Sequence, residues 1–245
     1  LPDIATSPLE PETYAAIVDE AHRLGRKAVA HAPQLAAAKA ALRAGADGLV
    51  HGIYDRPVDE ELVALMKRNA AFYVSTSTLF DLVANPARWG TRARAFEDSG
   101  RVPAAAFAAL ESPELLRAIE ATKADDAFGS DSIRTLQDNL LAIHAAGIPV
   151  VIGTDTPVLG LIPGLATLLE MQSHVDAGIR PIDTIRAATV NAQRALGREA
   201  QSGTIEAGKL AELILLYADP LADIGNVRRI KAVIQAGIYV DVQQN

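Results

Sequence analysis

Three short apolar runs in this chain each end in a residue that can bind a metal ion. Val-Ala precedes His31, Leu-Val precedes His51, and Val-Val-Ile-Gly-Thr precedes Asp155. Neutral imidazole is a good ligand for zinc and similar metals, and a carboxylate can both bind a metal and accept a proton from a water molecule on it. These residue types at the ends of apolar runs therefore indicate a metal site with three ligands.

Each of these residues also has a purely structural interpretation. A histidine that ends a strand often serves packing, and Asp155, within Gly-Thr-Asp-Thr-Pro, could start a turn or cap the next helix. The repeat of a strand-end histidine, a helix and a second strand-end histidine favours the ligand interpretation for His31 and His51, which are 20 residues apart. Without these two histidines the structural interpretation of Asp155 would prevail.

The remaining polar candidates carry weaker signals. Three residues follow strand ends and could contact a substrate: Tyr54, Thr76 and Ser77. The other histidines lie within predicted helices, where we expect structural or solvent-facing roles: His22, His144 and His174. Asn191, in Thr-Val-Asn, is expected to pack or to form a hydrogen bond locally.

Helices and strands alternate from residue 11 to residue 196, which predicts parallel βα units. Strands are predicted over 27–31, 47–51, 71–75 and 148–153. Helices are predicted over 11–24, 34–43, 58–68, 132–146, 165–177 and 181–196. Because a parallel barrel carries its chemistry at the carboxyl ends of its strands, the three candidate ligands would share one mouth.

The segment 76–130 is long for a single connection between a strand and a helix. It contains Asn85-Pro86, Trp89-Gly90 and Ser112-Pro113, and helices are predicted inside it around 104–110 and 113–123. On a barrel scaffold, an elaborated loop at this position would lie over the mouth of the site and select the substrate.

From Gly203 onward the pattern changes to short strands separated by turn residues. These strands are predicted over 210–217, 229–235 and 238–242, and Ala236-Gly237 joins the last two as a tight hairpin. We therefore predict two domains, residues 1–202 and 203–245. The second is too small to hold a core alone and needs partner strands.

The composition excludes several classes of function. Hydrophobic residues make up 49% of the 245 residues, the net charge is −7, and the basic residues are scattered, which argues against nucleic-acid binding. The chain has no cysteine, so a metal site would need His, Asp or Glu ligands. No membrane span or basic leader is visible, which predicts a cytoplasmic protein, and the start at Leu1 suggests a processed, trimmed or incomplete chain.

Five motifs in order carry a resemblance to a known family. They are Glu20-Ala-His-Arg-Leu-Gly-Arg-Lys-Ala-Val-Ala-His31, Ala44-Gly-Ala-Asp-Gly-Leu-Val-His51-Gly, Ala146-Gly-Ile-Pro-Val-Val-Ile-Gly-Thr-Asp155, Ala187-Ala-Thr-Val-Asn191-Ala, and Gly203-Thr-Ile-Glu-Ala-Gly-Lys-Leu-Ala-Glu212 continued by Ala218-Asp-Pro-Leu-Ala-Asp-Ile. With them the chain resembles the C-terminal part of the metal-dependent amidohydrolase superfamily, closest to its imidazolonepropionase-like and Xaa-Pro dipeptidase-like (prolidase-like) members.

The resemblance implies a fold, a cofactor and a reaction. The family fold is a (β/α)8 barrel of the TIM type with a small β-sandwich, in which His31 matches the metal ligand of strand 5 and His51 that of strand 6. Asp155 matches the strand-8 aspartate, which binds metal and acts as general base and acid. One or two divalent ions, most often zinc, and the hydrolysis of an amide, peptide or cyclic C–N bond in a small molecule or short peptide are implied.

The chain also departs from the family pattern. It has no His-X-His motif and no counterpart of the strand-4 lysine, so the resemblance implies the C-terminal half of a barrel, strands 5–8, followed by sandwich strands. A companion N-terminal polypeptide or a homo-oligomer is expected to complete the site. The alternative is a non-catalytic amidohydrolase-like remnant that binds a small molecule or a partner. An aldolase or isomerase would need a strand-end lysine or glutamate, and neither Lys27 nor Lys123 is so placed.

Overall fold

The structure is a computed structural model that describes residues 9–96, 102–126 and 130–240. Its strands are β1 Val29–His31, β2 Gly48–Val50, β3 Phe72–Val74, β4 Val150–Val151, β5 Leu213–Leu216, β6 Ile230–Gln235 and β7 Ile238–Val240. Its helices are α1 Pro11–Arg23, α2 Leu35–Arg43, α3 Glu60–Arg68, α4 Ser77–Ala84, α5 Pro86–Phe96, α6 Ala104–Leu110, α7 Pro113–Asp126, α8 Ser130–Ala145, α9 Leu165–Asp176, α10 Pro181–Ala188 and α11 Val190–Ala195.

The first four strands form a parallel sheet in the order β1-β2-β3-β4. Val29 pairs with Gly48 at the start of this sheet, and His31 pairs with Val50 at its carboxyl edge. Since every neighbour in the sheet is parallel, the residues that follow the four strands all lie at one edge. This confirms the α/β class predicted from the alternation of helices and strands.

The sheet is held by helices with one apolar face. In α3, Leu62, Leu65 and Met66 are buried at helical spacing, and the side chain of Asp59 caps the helix by accepting a hydrogen bond from the Leu62 amide at 3.0 Å. The buried side chains of α3 join those of the strands, such as Tyr73, in one hydrophobic cluster. A second cluster around Trp89 fills the space between α4, α5, α8 and α9.

The connection between β3 and β4 contains more helix than the sequence indicated. The predicted helices around 104–110 and 113–123 are present as α6 and α7, but α4 and α5 were missed. Helix α4 is buried on most of its surface, including Ser77, Thr78 and Asp81, so it has no polar face to set a helical period. Pro86 begins α5 at a position where a helix tolerates proline.

The single helix predicted over 181–196 is in fact two. Thr189 separates α10 from α11 with φ −122° and ψ −94°, and its hydroxyl donates to the carbonyl of Ile185 at 2.7 Å. Threonine hydroxyls that bond back to the preceding turn bend helices. Asn191 then donates to the carbonyl of Val150 at 3.0 Å, a bond to a residue 41 positions earlier that anchors α11 to β4 and is not the local bond expected from the sequence.

The last three strands form an antiparallel sheet in the order β5-β6-β7. Ala236 and Gly237 both have positive φ angles, 49° and 79°, as the predicted tight hairpin requires. Several large apolar side chains of this sheet are exposed, among them Ile214 (59%) and Ile238 (70%).

Within the described residues no helix is long and apolar enough to cross a membrane. The domain boundary at residue 203 stays a prediction.

Candidate active site

Two of the predicted ligands meet at the carboxyl edge of the parallel sheet. The register places His31 beside Val50, which immediately precedes His51. The two imidazole rings lie edge to face, with centroids 4.3 Å apart and planes inclined by 65°. His31 is exposed, whereas His51 is buried with 6% of its surface accessible. The pair therefore has one solvent-facing and one enclosed imidazole.

The backbone at this edge adopts a conformation that most side chains avoid. His51, Thr76 and Asp155, which follow β2, β3 and β4, have φ angles of 76°, 48° and 60°. Each such left-handed residue costs about 1–3 kcal/mol and persists only where the surrounding structure enforces it. Strain of this kind concentrates at functional sites, and here it is found after three neighbouring strands.

The surroundings of His51 keep its ring uncharged and oriented. Burial is the main cause that lowers the pKa of His51 to about 4, and the proximity of His31 adds to it. Nδ1 of His51 lies 3.0 Å from Oγ1 of Thr76. The ring of Phe80 is nearly perpendicular to the imidazole, with the two ring centroids 6.2 Å apart. When Nδ1 carries the proton and donates it to Thr76, the lone pair of Nε2 is available to a ligand.

The donor set of this pair suits a divalent metal ion. Neutral imidazole is the form that binds zinc, and metal-binding histidines usually use their second ring nitrogen for a hydrogen bond like that to Thr76. Zinc sites draw on three or four protein ligands, however, and His31 and His51 supply two. In the part of the chain that the structure describes, no three His, Cys, Asp or Glu side chains form a group that could hold a metal.

Asp155 lies at the same edge of the sheet but does not join the two histidines. It is exposed, and its carbonyl accepts a hydrogen bond from the Val158 amide at 3.1 Å, so it begins the turn that follows β4. This is the local role that the sequence left open beside the catalytic one. The structure thus brings His31 and His51 together and leaves Asp155 apart from them.

The three predicted substrate contacts are enclosed by the protein. Tyr54 is buried and its ring lies 5.6 Å from that of Phe80. Thr76 faces His51, and Ser77 donates to the hydroxyl of Ser75 at 3.0 Å. Their roles toward a substrate stay predictions, whereas the contact of Thr76 with His51 shows a role in holding that ring.

A buried polar cluster behind Thr76 was not anticipated as part of the site. Glu170 and His174 of α9 are both fully buried, and they contact the segment that follows β3. The expectation of a structural or exposed role holds for His22, which pairs with Asp47 at 2.8 Å on the surface. His144 lies 3.8 Å from Asp183. Only the spacing of Glu170 and His174 on one face of a helix could have signalled the cluster.

A polar cavity of about 320 Å³ lies among the helices, and Ser77, which follows β3, is one of its lining residues. Its lining includes Asp81, Arg88, Arg92 and Asp176, and neither His31 nor His51 belongs to it. Arg92 pairs with Asp176 at 2.6 Å and lies 3.6 Å from the carboxylate of Asp81. The cavity is therefore crossed by ion pairs and is separate from the histidine pair.

These features define an α/β protein with a strained polar edge at the carboxyl ends of its parallel strands. A sequence profile of the amidohydrolase family matches residues 5–239, and the chain belongs to this family.

Two relatives agree with this assignment. Ochratoxinase of Aspergillus niger is 30% identical over 225 residues, which cover 91% of this chain and 39% of the relative. Imidazolonepropionase of Shouchella clausii is 34% identical over 112 residues, covering 42% of this chain and 24% of the relative. The chain thus spans about two-fifths of the length of ochratoxinase.

Solved structures show the same fold. A Xaa-Pro dipeptidase with methionine bound in its active site superimposes with a TM-score of 0.70 at 24% identity, covering 95% of this chain and 49% of that one. The crystal structure of the Aspergillus niger ochratoxinase gives a TM-score of 0.69 at 26% identity, covering 96% and 46%. The α/β fold of this chain is therefore that of the TIM-barrel-type amidohydrolases.

Proposed function

We propose that this chain carries part of the active site of a metal-dependent hydrolase that cleaves an amide, peptide or cyclic C–N bond. The observation that carries the proposal is the His31–His51 pair, in which two imidazoles meet at the strand ends and burial keeps one of them neutral. Membership of the amidohydrolase family and the names of the relatives, ochratoxinase, imidazolonepropionase and Xaa-Pro dipeptidase, support a small molecule or short peptide as substrate.

The residues divide the work between binding and proton transfer. His31 and His51 would hold a divalent ion, zinc in the first instance, through their available ring nitrogens. When bound, such an ion polarises the scissile carbonyl and makes a water molecule more acidic. A carboxylate oxygen of Asp155 accepts a proton from the attacking water and returns it to the leaving nitrogen. Its exposure at the same edge of the sheet leaves that carboxylate accessible.

The remaining ligands would come from outside these residues. Two nitrogen donors are fewer than a catalytic zinc site uses, and the chain covers 49% of the superimposed dipeptidase. We propose strands 5–8 of a barrel in residues 1–202 and sandwich strands in 203–245. A companion N-terminal polypeptide, or a second copy of the chain, would pack against the edge of β1 at Val29 (46% exposed) and the apolar face at Ile238 (70% exposed).

A second candidate is a non-catalytic protein that keeps the amidohydrolase fold and binds a small molecule or a partner. It is favoured by one observation, that Asp155 does not join the two histidines in a group that could hold a metal in the described part of the chain.

Zinc titration of the purified chain separates the two candidates. His31→Ala and His51→Ala are each expected to weaken zinc binding at least tenfold. The control His22→Ala, which removes an exposed histidine paired with Asp47, should leave it unchanged. Equal zinc affinity in the wild-type chain and the double variant of His31 and His51 would contradict the metal site and leave the second candidate.

A further inference from the structure

The carboxylate of Glu170 binds the polypeptide on both sides of Thr76. It lies on α9, is fully buried, and accepts three hydrogen bonds. The donors are Oγ of Ser75 at 2.7 Å, the amide of Ser77 at 2.9 Å and the amide of Thr78 at 2.7 Å. A single side chain from a distant helix thus fixes the residues before and after the threonine that contacts His51.

Glu170 also caps the N-terminus of α4, which the side chain of Thr76 would ordinarily do. Thr76 is the N-cap of α4, where a threonine hydroxyl normally accepts a hydrogen bond from the first turn of the helix. It makes no such bond, because its hydroxyl lies against Nδ1 of His51. The amides of Ser77 and Thr78, which a helix leaves without internal partners, are satisfied by Glu170 instead.

The same bonds account for the left-handed backbone of Thr76. A φ of 48° is a genuine outlier for a β-branched residue and needs enforcement from its neighbours. His174 adds to it, since its Nε2 lies 3.0 Å from Oγ of Ser75 and 3.3 Å from Oε1 of Glu170. Ser75 donates to Glu170 and accepts from Ser77, so its remaining lone pair accepts from Nε2–H of His174.

We propose that Glu170 is a positioning residue for His51 that acts through Thr76. By capping α4 in place of Thr76, it releases the threonine hydroxyl to hold Nδ1–H of His51 and leaves Nε2 directed to a ligand. The importance of this for metal binding rests on the proposed function. The orientation and tautomer of His51 do not depend on the proposed function, because they are set by hydrogen bonds within the chain.

The test is the nitrogen-15 spectrum of the histidines in the metal-free chain, which reports the protonated nitrogen of each ring. In the wild-type chain His51 is expected to be neutral with the proton on Nδ1. Thr76→Val and Glu170→Gln should both shift His51 toward a mixture of tautomers, and Thr76→Ser should restore the wild-type signal. In the Thr76→Val background, Glu170→Gln should add nothing, because its effect passes through the threonine hydroxyl.

The matched control is Asp81→Asn. It neutralises a buried carboxylate that lies on α4, one turn after Ser77, and it should leave the His51 signal unchanged. Ser75→Ala removes only one of the three bonds to Glu170, and it provides a milder variant should Glu170→Gln fail to fold. A wild-type His51 signal in a folded Glu170→Gln or Ser75→Ala chain would overturn the proposal, as would an unchanged signal in Thr76→Val.

Zinc titration of the same variants keeps this inference distinct from the proposed function. Outer hydrogen-bond partners of a metal ligand typically change affinity by roughly ten- to a hundredfold, so Glu170→Gln is expected to weaken zinc binding roughly tenfold. A wild-type chain that binds no zinc would contradict the proposed function, while the nitrogen-15 result would still decide the role of Glu170.

Discussion

The imidazole rings of His31 and His51 meet edge to face with their centroids 4.3 Å apart, although the residues belong to different strands. The contact follows from the parallel register, which sets the end of β1 beside the end of β2. It places an exposed histidine against a buried one whose pKa burial lowers to about 4. Two imidazole rings side by side supply two of the nitrogen ligands that a divalent metal site needs.

Asp155→Asn tests how the two histidines and the aspartate divide their roles. Because Asp155 does not join the histidine pair in the structure, we expect the variant to change the zinc affinity of this chain less than threefold. His51→Ala, in the same titration, should weaken binding at least tenfold. An equal loss in both variants would mean that Asp155 is itself a principal ligand in this chain.

Gly52→Ala is expected to destabilise the fold by about 1–3 kcal/mol, the usual cost of overpacking. A Cβ at this position would lie 2.5 Å from Cγ of Leu136 and 3.0 Å from the carbonyl oxygen of Ser75, beside the site. Gly90→Ala is the control, because it adds a methyl group with no atom within 4 Å inside α5 and should stabilise by about 0.5–1 kcal/mol. Urea unfolding measures both, and a stable Gly52→Ala would contradict the packing at His51.

Asp81→Asn should change how stability depends on pH. Burial raises the pKa of the Asp81 carboxyl above its ordinary value, and Arg88 and Arg92 offset this in part. The charged form is therefore less favourable in the folded chain than in the unfolded one. Stability is lost as pH rises from the ordinary pKa of aspartate through the raised folded value, and the loss is complete above it.

The variant removes this titration, so its stability relative to wild type should improve as pH rises from about 3 to 7. Urea unfolding at several pH values checks the trend, with the exposed Asp19→Asn as control. A constant difference between Asp81→Asn and wild type across the range would contradict the effect of burial.

Ala236→Asn should stabilise the C-terminal hairpin. Ala236 has a φ of 49° and precedes Gly237, and asparagine tolerates this conformation in Asn-Gly turns better than alanine does. A gain of about 0.5–1 kcal/mol is expected from relief of the left-handed strain. Ala236→Val, a β-branched residue at the same angle, should lower the thermal midpoint, and the opposite ranking would exclude this turn type.

The parallel sheet could be predicted because the end of each strand is visible in the local sequence. The strands at His31 and His51 are recognisable from short apolar runs that stop at a polar residue, and helices such as α3 carry a clear apolar stripe. Two helices were not predicted, for physical reasons. Helix α4 is buried nearly all round, its polar residues included, and in α5 the Asn85-Pro86 and Trp89-Gly90 pairs resemble loop signals.

The support of the site could not be predicted in the same way. Glu170 and His174 lie within a helix, and their partners are the hydroxyl of Ser75 and the amides that follow it, 92 to 99 residues earlier in the chain. The spacing of the two residues on one helix face is the only local signal, and it does not distinguish a glutamate that caps another helix from one that faces solvent. The positive φ of Thr76 is likewise a product of tertiary contacts and has no counterpart in the residue type.

Anomalous scattering at the zinc edge, recorded from crystals grown with zinc, shows whether His31 and His51 together hold a divalent ion. We expect an anomalous peak within bonding distance of a ring nitrogen of each histidine, with Nδ1 of His51 still turned to Thr76. A zinc-loaded crystal whose anomalous peaks all lie away from the histidine pair would contradict it.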